Sequence, residues 1–155
     1  MDVSKFSPES IQVLWSARFE TEPYGCKMGV EHWFAGLLSK DAVIAQAFSN
    51  LSGITLEDVH KAYRKKYGRD NMPERKDSGK CTDGAAKALE RAEALAAERS
   101  RGARMFPVDI FGGLLESDDP MMAYLLGEGF ANIRDAVLEH VRAVVGEVEA
   151  LTPAG

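Results

Sequence analysis

Cysteine is nearly absent from the chain. Cys26 and Cys81 are the only two, too few for the disulfide framework that staples small secreted domains. Also missing is any apolar run near the roughly 20 residues that a helix needs to cross a bilayer. The opening MDVSKFSPES has no hydrophobic centre of a signal peptide. No segment alternates apolar with polar residues, so no strand is predicted. Positive charge is in deficit, with 19 Lys and Arg against 24 Asp and Glu and a net charge of −5. That balance argues against nucleic acid as a general partner, since phosphate binding needs a basic footprint. The basic cluster Lys61 to Lys66 reads as a solvated helix end. These absences point to a reducing cytoplasm and to no membrane contact. With 155 residues, 45% hydrophobic and 28% charged, the chain reads as one soluble globular domain that buries about two-thirds of its unfolded surface.

What is present centres on Gly29 to Leu38, GVEHWFAGLL. Val30, Trp33, Phe34, Leu37 and Leu38 follow the i, i+3, i+4, i+7, i+8 spacing of a helix with one buried face. Glu31 falls in its first turn, where the helix dipole favours a carboxylate. Such bulk on one face has to be covered on nearly every side, which predicts a central helix over roughly 29 to 39. The pattern returns in PVDIFGGLLES from Pro107, with Ile110, Phe111, Leu114 and Leu115 at the matching phases. Gly36-Leu37-Leu38 and Gly113-Leu114-Leu115 lie 77 residues apart. The segment from Phe6 aligns with that from Cys81 at an offset of 75, placing Leu14 over Leu89 and Ala17 over Ala92. A tandem repeat follows. The expected organisation is a single domain over 1–147, with repeat one at 6–67, a linker at 68–80, repeat two at 81–146 and a flexible tail over 148–155.

The remaining helices are punctuated by caps. Ser7-Pro8-Glu9 is a strong helix start, and Ile11, Leu14, Trp15 and Phe19 give the first helix its expected buried stripe, ending near Pro23-Tyr24-Gly25. Asp41 caps a third helix with Ile44, Ala47, Phe48 and Leu51 facing in, and Gly53 breaks it. Thr55 and Asp58 form a capping-box pattern for a fourth carrying Leu56, Val59 and Tyr63. Gly68 to Lys80 has no periodicity and reads as an exposed connector. Thr82 caps a fifth helix with a small stripe of Ala85, Leu89, Ala92 and Ala96. Arg99 to Arg104 reads as a loop, Pro107 opens a sixth helix, and Asp119-Pro120 starts a seventh bearing Met121, Met122, Leu125 and Leu126. The eighth runs from about Asn132 with Ile133, Val137, Val141 and Val144 inward, fraying from Gly146. The fold class is all-α: eight helices as two pseudo-two-fold repeats of four.

Reactive chemistry is thin. Glu31-His32 is followed by Trp33, Phe34 and Ala35, not by the second His of a zinc helix. Cys26 precedes His32, but His60 and His140 stand singly and no four-ligand set is visible. Gly79-Lys80-Cys81-Thr82 lacks both the leading Gly and the directly following Ser or Thr of a P-loop. No Gly-x-Ser-x-Gly elbow is present. The expectation is a protein without catalysis, metal or cofactor; the competing enzyme reading would use Cys26, Glu31 and His32 converging in one pocket. The capped helix starts at Ser7 and Thr82 are candidate anion sites. A groove between the two halves could take an amphipathic peptide, with Met28, Met72, Met105, Met121 and Met122 as adaptable surface.

The doubled unit, opening with a Phe-Ser/Thr-x capped helix and centred on Gly-x-Glu-His-x-x-x-Gly-Leu-Leu, resembles the Clp N-terminal (Clp repeat) domain over residues 6 to 145. FSPES and GVEHWFAGLL carry the likeness in repeat one. In repeat two Cys81 replaces the opening aromatic, and PVDIFGGLL replaces the Glu-His start. The resemblance implies a module that docks adaptors or substrate proteins for a Clp-type AAA+ unfoldase and its peptidase. An alternative is a regulator competing for the unfoldase or peptidase surface. It also implies, in some members, binding of phosphorylated arginine by a helix-start hydroxyl and the motif Glu. Ser7 and Glu31 match those positions in repeat one; in repeat two Thr82 matches, but the Glu position is Val108, and Asp109 is one residue out of phase. The chain reads either as a free-standing Clp-repeat protein or as the N-domain of a longer unfoldase, and the tail after Gly146 favours the first.

Overall fold

The computed structural model describes residues 2–69, 71–100 and 102–151. Asp70 of the expected linker, Arg101 of the expected 99–104 loop and residues 152–155 of the expected tail lie outside them. Eight α-helices form among the described residues: α1 (Pro8–Thr21), α2 (Val30–Lys40), α3 (Ala42–Ser52), α4 (Leu56–Arg69), α5 (Asp83–Arg99), α6 (Pro107–Leu115), α7 (Pro120–Leu126) and α8 (Arg134–Leu151). Short 3-10 turns at Val3–Lys5 and Phe130–Asn132 complete the set, and no strand occurs among the described residues. Side chains cap the starts as their chemistry dictates: Ser7 accepts from the Ser10 N–H, Asp41 from Ile44, Thr82 from Ala85 and Asp119 from Met121. Gly53, at φ +73°, ends α3 in the left-handed conformation that glycine adopts without strain.

α2 is the axis of the molecule. Every residue from Val30 to Leu38 is buried, and α1, α3, α4, α5, α6 and α7 all pack on it. Its closest neighbour is α1, because Gly36 has no side chain: a Cβ there would stand 2.9 Å from the Ala17 backbone N and 3.0 Å from the Val13 carbonyl O. Repeat two has the same junction between α5 and α6, where a Cβ on Gly113 would stand 2.2 Å from the Ala88 carbonyl O and 3.0 Å from the Ala92 N. The pairs Ala17/Gly36 and Ala92/Gly113 are the ones the sequence alignment superposes. Near the pseudo-axis the equivalent rings Phe34 and Phe111 stack with centroids 6.4 Å apart, and Phe48 packs edge-on to both.

The repeats are also joined through backbone. The Ser7 N–H donates to the Met105 carbonyl (2.9 Å) and the Met105 N–H to that of Lys5 (2.8 Å). Reciprocally, the Met28 N–H donates to Lys80 (2.8 Å) and the Thr82 N–H to Met28 (3.0 Å). Each repeat's opening segment therefore lies along the run into the other repeat's central helix, as two isolated parallel bridges, Phe6 with Met105 and Met28 with Cys81.

Several side chains differ from the sequence expectation. Trp15 is 56% and Phe19 69% exposed, not buried. The cause is the glycine junction: it draws the α1 backbone at Val13, Ser16 and Ala17 against α2, and a residue two positions on from Val13 or Ala17 points about 200° around the helix, away from α2. Leu51 is exposed because the core of α3 ends at Phe48, and exposed Ile133 precedes the first turn of α8. On α5 the buried stripe is Ala85, Ala88, Ala92 and Ala96, with Leu89 half-buried. Val144, Met121 and Leu126 are likewise half-buried. Met28, Met105 and Met122 belong to the core and supply no surface, whereas Met72 is exposed. α8 continues through Gly146 to Leu151, so 148–151 are helical.

Three substitutions test this packing. Gly36→Ala and Gly113→Ala should each destabilise by about 1–3 kcal/mol through overpacking, although Ala exceeds Gly in helix propensity by about 1 kcal/mol. Urea unfolding of both variants measures it, and stabilisation by either would contradict the close approach. Trp33→Ala, which empties the fully buried centre of repeat one, should cost about 3–5 kcal/mol.

Candidate functional site

The most polar part of the interior lies where α2 begins. Gly29 precedes the helix, and a Cβ there would stand 1.8 Å from Glu31 Oε1, so the carboxylate folds back over its own helix start only because that position is glycine. Glu31 is 7% exposed, and the Tyr67 hydroxyl donates to its Oε2 at 2.7 Å. His32 Nδ1 accepts the Gly29 N–H at 2.9 Å, capping the helix. The proton of the neutral ring is thereby placed on Nε2, which lies 3.0 Å from the Tyr67 hydroxyl. A directed chain results: His32 Nε2–H donates to Tyr67, and Tyr67 donates to Glu31.

Burial sets the charges of this cluster. Desolvation brings His32 down to about 4, so the 3.7 Å approach of its Nδ1 to Glu31 Oε1 is not an ion pair at neutral pH. Glu31 is pushed up by burial, which the Tyr67 hydrogen bond only partly offsets. Tyr67 is raised by burial and by the Glu31 charge, and stays a hydroxyl. A second link runs from α4 to α1, where Glu20 accepts from the Tyr63 hydroxyl at 2.6 Å and pairs with His60 Nε2 at 2.8 Å. Sequence pattern does not single out Tyr67 or Glu20, and it gives Tyr63 only as part of the stripe of α4, without its hydrogen bond. His60, Tyr63 and Tyr67 share one face of α4 at helical spacing, and that signal looks the same for packing as for hydrogen bonding.

Beside the cluster opens a cavity of about 220 Å³ lined by Lys27, Gly29, Glu31, Met72, Thr82 and Met121, among others. Thr82 Oγ1 accepts the Ala85 N–H at 3.2 Å and keeps its own O–H free to donate outward. The structure thus brings together Glu31 of repeat one and Thr82 of repeat two, through the Met28–Cys81 bridge. Ser7 is not part of this cavity. It is 1% exposed, held between the Ser10 N–H (3.1 Å) and the Ser10 hydroxyl (3.2 Å), and Ser10 in turn donates to the Met105 carbonyl. Its hydroxyl serves the cap and the junction between repeats. In repeat two Asp109 occupies the place of His32: its carboxylate accepts the Phe106 N–H at 2.8 Å and pairs with Arg99.

Cys26 is buried, and burial together with the Glu31 charge pushes its thiol up. Both His32 nitrogens are already engaged, by Gly29 and Tyr67. Cys26 therefore has no free imidazole in His32 to activate it, and the arrangement disfavours the thiolate that nucleophilic chemistry requires. No group of three or more His, Cys, Asp or Glu with metal-binding geometry occurs among the described residues, and no helix among them is long and apolar enough to cross a membrane.

The buried histidine gives a stability prediction. In the unfolded chain it takes up a proton near its ordinary value of 6.5, whereas in the folded chain it does so only near 4. As pH falls through that window the unfolded state binds the proton first, so the folded state loses about 3 kcal/mol between pH 6.5 and 4. Glu31, raised in the fold, acts with the opposite sign. His32→Asn keeps a neutral acceptor for Gly29 and should flatten the acid slope of urea-unfolding stability by about that amount. An unchanged slope would show that His32 titrates freely.

Neither a protein-family model nor a curated protein matches the chain. Among solved structures, the crystal structure of the N-terminal domain of the caseinolytic protease associated chaperone ClpD from Arabidopsis thaliana superposes with a TM-score of 0.72. The match covers 94% of this chain and 97% of that one at 15% identity. The likeness spans nearly the whole all-helical chain, which has the fold of a Clp N-terminal domain.

Proposed function

We propose that the chain is a non-catalytic protein-binding module that docks adaptors or substrate proteins for a Clp-type AAA+ unfoldase. The observation that carries this reading is the likeness to the ClpD N-terminal domain along nearly the whole length of both chains. The chemistry of the interior supports it. His32 is spent on Gly29 and Tyr67, and Tyr67 engages one oxygen of Glu31, Oε2. What faces outward is a small recess with a carboxylate, a hydroxyl and the Lys27 ammonium at its walls, which suits recognition of a side chain better than turnover. A phosphorylated arginine would place its guanidinium on Glu31 and its phosphate on Thr82 and Lys27 there. The working compartment in this reading is the cytoplasm.

The test is capture of a purified Clp-type unfoldase, with and without its adaptor, on the immobilised chain. Glu31→Ala and Thr82→Ala should each weaken capture by about tenfold, equal to about 1.4 kcal/mol, while Thr82→Ser, which keeps the hydroxyl, should restore it. Thermal melts control for the loss of about 1 kcal/mol expected from removing the Thr82 cap. Capture that is absent in the wild-type chain, or indifferent to both alanine variants, would overturn the reading.

A further inference from the structure

The two openings beside the central helices have diverged. At the start of α2 the wall is the Glu31 carboxylate; at the equivalent point of α6 it is Val108. There a groove of about 370 Å³ runs between the first turn of α3, the start of α6 and the end of α8. Phe106, Pro107 and Val108 form one wall, Val43 another, and Val145 and Val148 the third. Val148 is 40% exposed, so the apolar lining reaches the surface.

The charged residues that line this groove all have one sign. Its charged lining residues are Glu9 from α1, Asp41 at the start of α3 and Glu149 from α8. Asp41 Oδ1 accepts the Ile44 N–H at 3.0 Å, and none of the three carboxylates has a cationic partner among the described residues. The nearby guanidinium of Arg99 lies over the Phe106 ring and is paired with Asp109. Arg142 lines the adjoining cavity of about 440 Å³, which shares Val108, Val145 and Glu149 with the groove. Glu9 and Asp41 line the groove but not that cavity, so they stand at the end away from Arg142.

We propose that this groove docks an apolar peptide segment of a partner protein flanked by lysine or arginine residues. The apolar side chains lie on Val108 and Val145, and the basic ones point towards Glu9 and Asp41. Apolar burial supplies the affinity and the acidic rim sets orientation and choice of partner. The assignment rests on the reading of the chain as a protein-binding module but requires no unfoldase.

The experiment titrates the wild-type chain into fluorescein-labelled synthetic peptides and follows polarisation. The first peptide has a Leu-Val-Leu core preceded by a lysine run; a second replaces the lysines by glutamates; a third replaces the core by serines. Only the first should bind, with affinity falling steeply as salt is raised. The triple variant Glu9→Gln, Asp41→Asn, Glu149→Gln should bind it about tenfold less tightly; asparagine preserves the cap of α3. Glu31→Ala should leave this binding unchanged, so a failure here is separable from failure of the unfoldase reading. Equal binding of the lysine and glutamate peptides, no binding of the lysine peptide, or an unaffected triple variant overturns the proposal. So does wild-type self-association, seen by sedimentation, that the triple variant abolishes, because the groove would then be an interface between copies. The peptide swaps need no variant, so the result stands even if the triple variant fails to fold.

Discussion

The four backbone hydrogen bonds that tie each repeat's opening segment to the run into the other repeat's central helix govern the rest of the structure. A four-helix unit of this size, with one fully buried axis, leaves one side of that axis open. The reciprocal exchange closes it: Phe6 runs beside Met105, and Met28 beside Cys81. Buried amides and carbonyls must find partners, and here each set finds them in the other half. Ser10, buried and donating to Met105, adds a side-chain link at the same seam.

From that exchange follows the composition of the candidate site. Glu31 and Thr82 are far apart in sequence and belong to different repeats, yet they share a cavity because Thr82 hangs from Met28. Ser7, which stands at the equivalent helix start, is drawn into the other seam and is sealed by Ser10. The pseudo-symmetry of the backbone thus carries an asymmetry of chemistry. One opening is lined by a carboxylate and a hydroxyl, the other by Val108 with acids only at its rim. Replacement of Glu31 by Val108 and of His32 by Asp109 removes the carboxylate from the wall, since Asp109 is held by Phe106 and Arg99 while His32 is held by Gly29 and Tyr67, and Ser10 withholds the hydroxyl.

Much of the fold was legible in the sequence because caps and helical spacing are local. Ser7, Asp41, Thr82 and Asp119 cap the helices they were expected to start, and α2 is buried as the weight of Trp33, Phe34 and Leu37 requires. The orientation of α1 was not legible. Apolar spacing alone favours Trp15 and Phe19 as the inner face, while the lone glycine at 36 decides otherwise by drawing the backbone of Val13, Ser16 and Ala17 against α2. The site was half legible. Glu31 and Thr82 could be named one at a time, but their meeting depends on a pairing between repeats that no spacing within a repeat reveals. Tyr67, which fixes both Glu31 and His32, carries no sequence mark distinguishing a hydrogen-bonding tyrosine from a packing one.

Native-state hydrogen exchange tests the exchange of segments most directly. The amides of Ser7, Met28, Thr82 and Met105 are the donors at the two seams. If the repeats are one cooperative unit, these four should exchange only through global unfolding, with the same free energy as the amides of α2. Exchange at Met28 and Thr82 through a cheaper opening, with α2 still protected, would mean that the halves separate while folded, and a site shared between them would not exist.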